Sequence, residues 1–208
     1  MFLQDNDLQT QVRYIRQQLR TMMNGVASMS QRDKGLTYKW NFGVELPRLQ
    51  DFSESLPHSY ELAAALWKEE NTRELRLLAS MLMPHDAFAE DLAELWVEQM
   101  RFTEEAEVAT LHLFQFLPFA SQKVFEWLAR PEVLHRYTAY MLLSRLFLQG
   151  KRLSDRDAAE LLDNIAADLC QDDLSLRNAA YRTLLRYMDQ GESEEAAGEA
   201  VLARFEAR

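Results

Sequence analysis

Residues 76–83 read RLLASMLM, residues 136–143 RYTAYMLL and residues 177–184 RNAAYRTL. Each string opens on Arg, carries Ala three positions later and an apolar residue four beyond that. On a helix, Ala at this place lets a neighbouring helix approach closely, and the residue four further on lies on the same face one turn along. Each string also falls in a helical pattern that follows another helical pattern. Stacked helix pairs of roughly 40 residues are the sequence signature of armadillo- or HEAT-type α-solenoids. The competing reading is that three amphipathic helices share a permissive pattern.

The rest of the chain agrees with an all-α, HEAT/armadillo-like solenoid of stacked antiparallel helix pairs. Gly occurs only 6 times and Pro 5 times, and most fall between periodic segments. The periodicity predicts helices at about 5–26, 47–55, 58–69, 71–83, 86–101, 103–117, 119–129, 131–149, 154–171, 174–190 and 192–206. Pro57, Pro84, Pro118 and Pro131 mark joins, Gly150 and Gly191 stand where helices should end, and Ser154 offers an N-cap. At 208 residues and 48% hydrophobic, the chain is long enough to bury a full core, and we expect one repeat domain over residues 1–208.

Charge and composition restrict the function classes. A lone cysteine, Cys170, excludes an internal disulfide framework and is read as a core residue at the end of an apolar stripe. The first residues, MFLQDNDLQTQ, show no basic-then-apolar leader, and the most apolar run, YMLLSRLFL, is short and interrupted by Arg145. We therefore expect a soluble, cytoplasmic chain with no membrane partner. Only His135 stands in a Glu-x-x-His frame, with Glu132, and no second frame accompanies it, so no metal and no cofactor are expected. Catalytic signatures such as GxSxG or a phosphate loop are absent.

The net charge of −10 opposes a protein coated in nucleic acid, yet the charge is segregated. Lys and Arg crowd residues 13–48, whereas acids dominate 86–107 and 192–199. Within SQRDKG and YKWNFGVELPR, Arg32, Lys34, Lys39 and Arg48 surround Tyr38, Trp40 and Phe42. Basic residues interleaved with aromatics point toward nucleic acid. Trp67, Trp96 and Trp127 lie in helical patterns and are read as packing residues. Trp40 lies in an irregular basic segment, where an exposed role competes with plugging the end of the first repeat.

From about residue 25 to 190 the sequence resembles the DNA alkylation repair family of HEAT-like-repeat proteins, whose members include bacterial alkylpurine DNA glycosylases. The resemblance rests on Phe42, Gly43, Val44, Pro47 and Arg48 in the first turn, on ALWKEENTRELRLLASML with Trp67, Glu74 and Ala79, and on LHRYTAYMLL and LRNAAYRTLLRY. It implies duplex DNA, alkylated in the family's reaction, gripped by a concave row of Lys34, Lys39, Trp40, Arg48, Arg76, Arg136, Arg177 and Arg182. It also implies a carboxylate that stabilises an oxocarbenium-like sugar. The chain departs from the family here: RFTEEAEVATLHLF has neither the Trp nor the Asp of active members and offers Glu105 and Glu107 as candidate catalytic groups. Arg182 replaces a family tryptophan, and Arg136 stands alone where active members have an arginine pair. The expectation is a divergent or inactive alkylpurine glycosylase that binds DNA. The alternative is a non-enzymatic scaffold with a protein partner.

Overall fold

The computed structural model describes residues 7–206, and the chain divides into two compact units, Met1–Ala89 and Glu90–Arg208. The first unit contains α1 (Leu8–Thr21), α2 (Gly25–Asp33), α3 (Leu46–Glu54), α4 (Tyr60–Trp67) and α5 (Arg73–Leu82). The second contains α6 (Glu90–Gln99), α7 (Thr103–His112), α8 (Ala120–Leu128), α9 (Val133–Leu148), α10 (Asp155–Asp168), α11 (Leu174–Met188) and α12 (Glu192–Glu206). Among the described residues there is no strand beyond an isolated bridge between Trp40 and Thr72, and no helix is long and apolar enough to cross a membrane. The fold is all-helical, as the periodicity predicts.

In the first unit α5 is the core: every residue from Arg73 to Leu82 is buried, and α3 and α4 pack on it while α1 packs on α4. Each fully buried leucine of α5 contributes about 1.5–3 kcal/mol relative to exposure, and Leu75, Leu77, Leu78 and Leu82 are all of this kind. In the second unit α7, α9, α11 and α12 pack in succession, with α8 against α9 and α10 against α11 and α12. The three repeat strings lie in α5, α9 and α11. Their alanines, Ala79, Ala139 and Ala180, are buried, as are Met83, Leu143 and Leu184 one turn on. The small residue is buried in each string, which is why the spacing is legible.

The helix boundaries differ from the periodicity in three places. The segment expected as one helix over 5–26, whose residues 5 and 6 lie outside the described residues, is two helices. Asn24 interrupts it, because its side chain accepts from Ala27 N at 3.1 Å and its backbone N–H donates to Phe42 O at 2.9 Å. Gly25 therefore opens α2 instead of closing α1. The helix expected from 86 begins at Glu90, after a 3-10 turn at His85–Ala87 and the buried Phe88. The helix expected to reach 117 stops at His112, where Leu113 leaves helical geometry and a 3-10 turn, Phe114–Phe116, sets the Phe114 ring 5.4 Å from that of Trp127. Ser154 caps α10 by accepting from Asp157 N. Cys170 corrects the expectation of a core residue: α10 ends at Asp168, and the thiol is exposed just past it.

Candidate nucleic-acid interface

The turn between α2 and α3 is held from both sides. Trp40 N–H donates to Asn71 O at 2.9 Å and Arg73 N–H donates to Trp40 O at 3.1 Å, which forms the isolated bridge. Beyond it, Glu74 accepts from Phe42 N and Val44 N, each at 3.2 Å, while Arg73 Nη1 donates to Val44 O at 2.9 Å and to Glu74 at 3.1 Å. Arg73 and Glu74 are both buried, so the first turn of α5 supplies the partners that the turn's backbone groups need. Gly43 has φ +69°, and a Cβ there would stand 2.1 Å from Asn24 O, so only glycine fits between the turn and the start of α2.

This scaffold presents Trp40 to solvent. The indole is 58% exposed, an unusual state for tryptophan, on a backbone fixed by two hydrogen bonds. It borders a cavity of about 470 Å³ lined also by Arg16, Arg20, Arg32, Lys39 and Asn41. Arg16 is paired with Glu69, whereas among the described residues no carboxylate lies within ion-pair distance of Arg20, Arg32 or Lys39. Of the basic and aromatic residues grouped in the sequence, Arg32, Lys39, Trp40 and Phe42 are brought together here. Lys34, beyond the end of α2, and Arg48, on α3, are exposed and do not line this cavity. Arg16 and Arg20 are missing from the sequence-based site; their only signal is a spacing of one helical turn on α1.

In the second unit, Glu107 of α7, Tyr137 of α9 and Arg182 of α11 come together. Tyr137 OH donates to Glu107 Oε1 at 2.5 Å. Burial and this bond push the phenol far above its ordinary value, and the positive charge of Arg182 opposes the rise. Tyr137 is therefore a fixed donor that orients the carboxylate. Arg177, half-buried, and Arg182, exposed, make no ion pair among the described residues. Glu105 has a different place: it is buried and accepts from Arg101 N at 2.8 Å, which ties down the backbone at the start of α7.

Two expected DNA contacts are corrected by the partners their guanidinium groups already hold. Arg76 is buried, with its guanidinium 3.4 Å from the centroid of the Trp67 ring and Nη1 donating to Trp67 O at 2.8 Å. Arg136 donates through Nη1 to Leu128 O, through Nη2 to Asn164 at 3.0 Å and Asp168 at 2.6 Å, and Tyr140 OH donates to the same Asp168. Trp67 ends α4 and Leu128 ends α8. The arginine that opens the first two repeat strings thus closes the preceding helix, satisfying a terminal carbonyl that the helix leaves unpaired. Neither guanidinium is available to a phosphate. Arg177, in the third string, makes no such bond.

No family model matches this sequence, and no curated protein does. Among solved structures, one chain aligns with a TM-score of 0.78 at 13% identity, over 91% of this chain and 80% of that one. That structure belongs to work described as "A new family of proteins related to the HEAT-like repeat DNA glycosylases with affinity for branched DNA structures". The likeness establishes the class: an all-helical HEAT-like repeat fold.

Proposed function

We propose that this chain is a DNA-binding HEAT-like repeat protein that grips phosphates with Arg20, Arg32 and Lys39 in the first unit and with Arg177 and Arg182 in the second. Lys34 and Arg48 add weaker contacts from exposed positions. The observation that carries the reading is the unpaired cationic rim around an exposed, backbone-anchored tryptophan. Cations lacking carboxylate partners keep their charge for an incoming phosphate. The structural neighbour's affinity for branched DNA supports the same partner class, and we extend that preference to this chain. Alkylated duplex is the narrower form of the proposal. Within it Glu107, oriented by Tyr137 beside Arg182, is the carboxylate suited to stabilise positive charge on a sugar.

The test is a titration of the intact protein on a labelled blunt duplex, a four-way junction and a duplex carrying 7-methylguanine, each at low and moderate salt. Binding should weaken with a slope of about −0.9 in log K per log salt for each phosphate contacted. Base release from the methylated duplex, lost in Glu107→Gln, would extend the reading to catalysis. Absence of binding at both salts would overturn it in favour of a protein-interaction scaffold. That second reading has its own support in the second unit, where Arg130, Arg136 and Arg152 are each paired with a carboxylate.

A further inference from the structure

We propose that the cavity beside Trp40 is a nucleotide subsite, which takes one unpaired nucleotide with its base stacked on the indole and its phosphate among Arg20, Arg32 and Lys39. The inference rests on the DNA-binding reading and gives it a preference: strands with unpaired nucleotides over blunt duplex. At about 470 Å³ the cavity lies within the range of roughly 300–1,000 Å³ usual for small-ligand sites. Its chemistry is divided as a nucleotide requires. An exposed aromatic face on a fixed backbone offers stacking, which every base accepts, and three unpaired cations offer phosphate binding.

Asn41 supplies an independent sign that a ligand is expected. The residue is only 9% exposed and lines the cavity, and its Nδ2 is buried with no hydrogen-bond partner. The amide's orientation is not arbitrary, because Gly43 N–H donates to Asn41 Oδ1 at 2.8 Å and needs an acceptor there. The NH₂ group is therefore the end left over, a donor suited to a base carbonyl or a phosphate oxygen. A buried polar group without a partner is costly, and a bound nucleotide would relieve that cost. A duplex cannot supply the ligand without opening, because its bases are stacked on one another.

The experiment uses the full chain and three probes: a labelled single-stranded oligothymidylate, the same length as a labelled blunt duplex, and thymidine monophosphate as competitor. Trp40→Ala and Arg32→Ala change exposed side chains, and unchanged melting confirms that each variant folds. The expected result is a loss of about tenfold or more in single-strand affinity in Trp40→Ala, from the lost stacking, with blunt-duplex affinity changed much less. Arg32→Ala should also weaken the single strand. Competition by thymidine monophosphate would make a free nucleotide a competent source of the ligand, and competition by oligothymidylate alone would restrict it to a strand. Equal loss on both DNA forms, or no loss on either, would overturn the subsite and leave DNA binding intact. Loss of all DNA binding by the wild type with retained, Trp40-dependent binding of thymidine monophosphate would keep the subsite and overturn the DNA reading. No binding of any probe would overturn both.

Discussion

The two compact units hold similar numbers of cations in different company. Residues 1–89 carry 10 Lys and Arg against 11 Asp and Glu, whereas residues 90–208 carry 13 against 22, so a charge of −1 stands beside one of −9 and together they make the −10 of the whole chain. Among the described residues, Arg20, Arg32 and Lys39 of the first unit meet no carboxylate, and neither do Arg177 and Arg182 of the second. Lys123, Arg130, Arg136 and Arg152 of the second unit each meet one. Net charge is therefore a poor guide to where a polyanion would settle. What matters is where carboxylates are missing.

The largest effects should come from the buried and part-buried ion pairs that shape each unit. Glu74→Ala removes the buried carboxylate bonded to Arg73 and to the turn's N–H groups and should cost about 3–5 kcal/mol, and Arg136→Met, which takes the guanidinium from the buried Asp168, should cost up to a similar amount. Denaturant titration measures both. A loss below about 1 kcal/mol in Glu74→Ala would mean that the turn carrying Trp40 is not anchored by α5. Gly43→Ala comes next, at about 2 kcal/mol or more, from the positive φ and the clash with Asn24. It should also reduce single-strand affinity more than Arg48→Ala does, since it moves the turn itself.

A smaller effect belongs to Glu94. Burial alone would raise its carboxyl, but the hydrogen bond from Trp127 Nε1 at 2.8 Å and the Arg130 guanidinium outweigh this and hold it below the usual carboxylate range. A carboxyl depressed in the folded state stabilises above its unfolded pKa, and that stability is lost as pH falls through the folded value. Glu94→Gln should cost about 1.5–3 kcal/mol at neutral pH, and the difference from wild type should shrink as the pH drops below about 4. A difference independent of pH would refute the ionic part of this contact. Smallest in stability are Lys39→Glu and Arg182→Glu, each expected within about 0.5 kcal/mol because both side chains are exposed. Each should nonetheless weaken DNA and flatten the salt dependence, which separates the free cations from the structural ones.

The helical repeat was legible because packing favours it: Ala79, Ala139 and Ala180 are all fully buried, on helices that pack against others. The arginine of the first two strings was misleading. Its long side chain reaches back to a carbonyl eight or nine residues earlier, a contact that periodicity does not encode. The break at Asn24 was hidden for a related reason, since the partner of its N–H is Phe42, in another segment. At the candidate site, the grouping of Arg32, Lys39, Trp40 and Phe42 was visible as local composition. The contribution of Arg16 and Arg20 depends on how α1 folds back on the turn, which no linear spacing reveals.

The exposure of Trp40 has a spectroscopic consequence. Trp67, Trp96 and Trp127 are at most 3% exposed, so among the four indoles Trp40 alone is open to a collisional quencher such as acrylamide. The red edge of the emission spectrum therefore belongs to one residue at the mouth of one cavity. The unlabelled protein carries its own gauge of whether that cavity is filled.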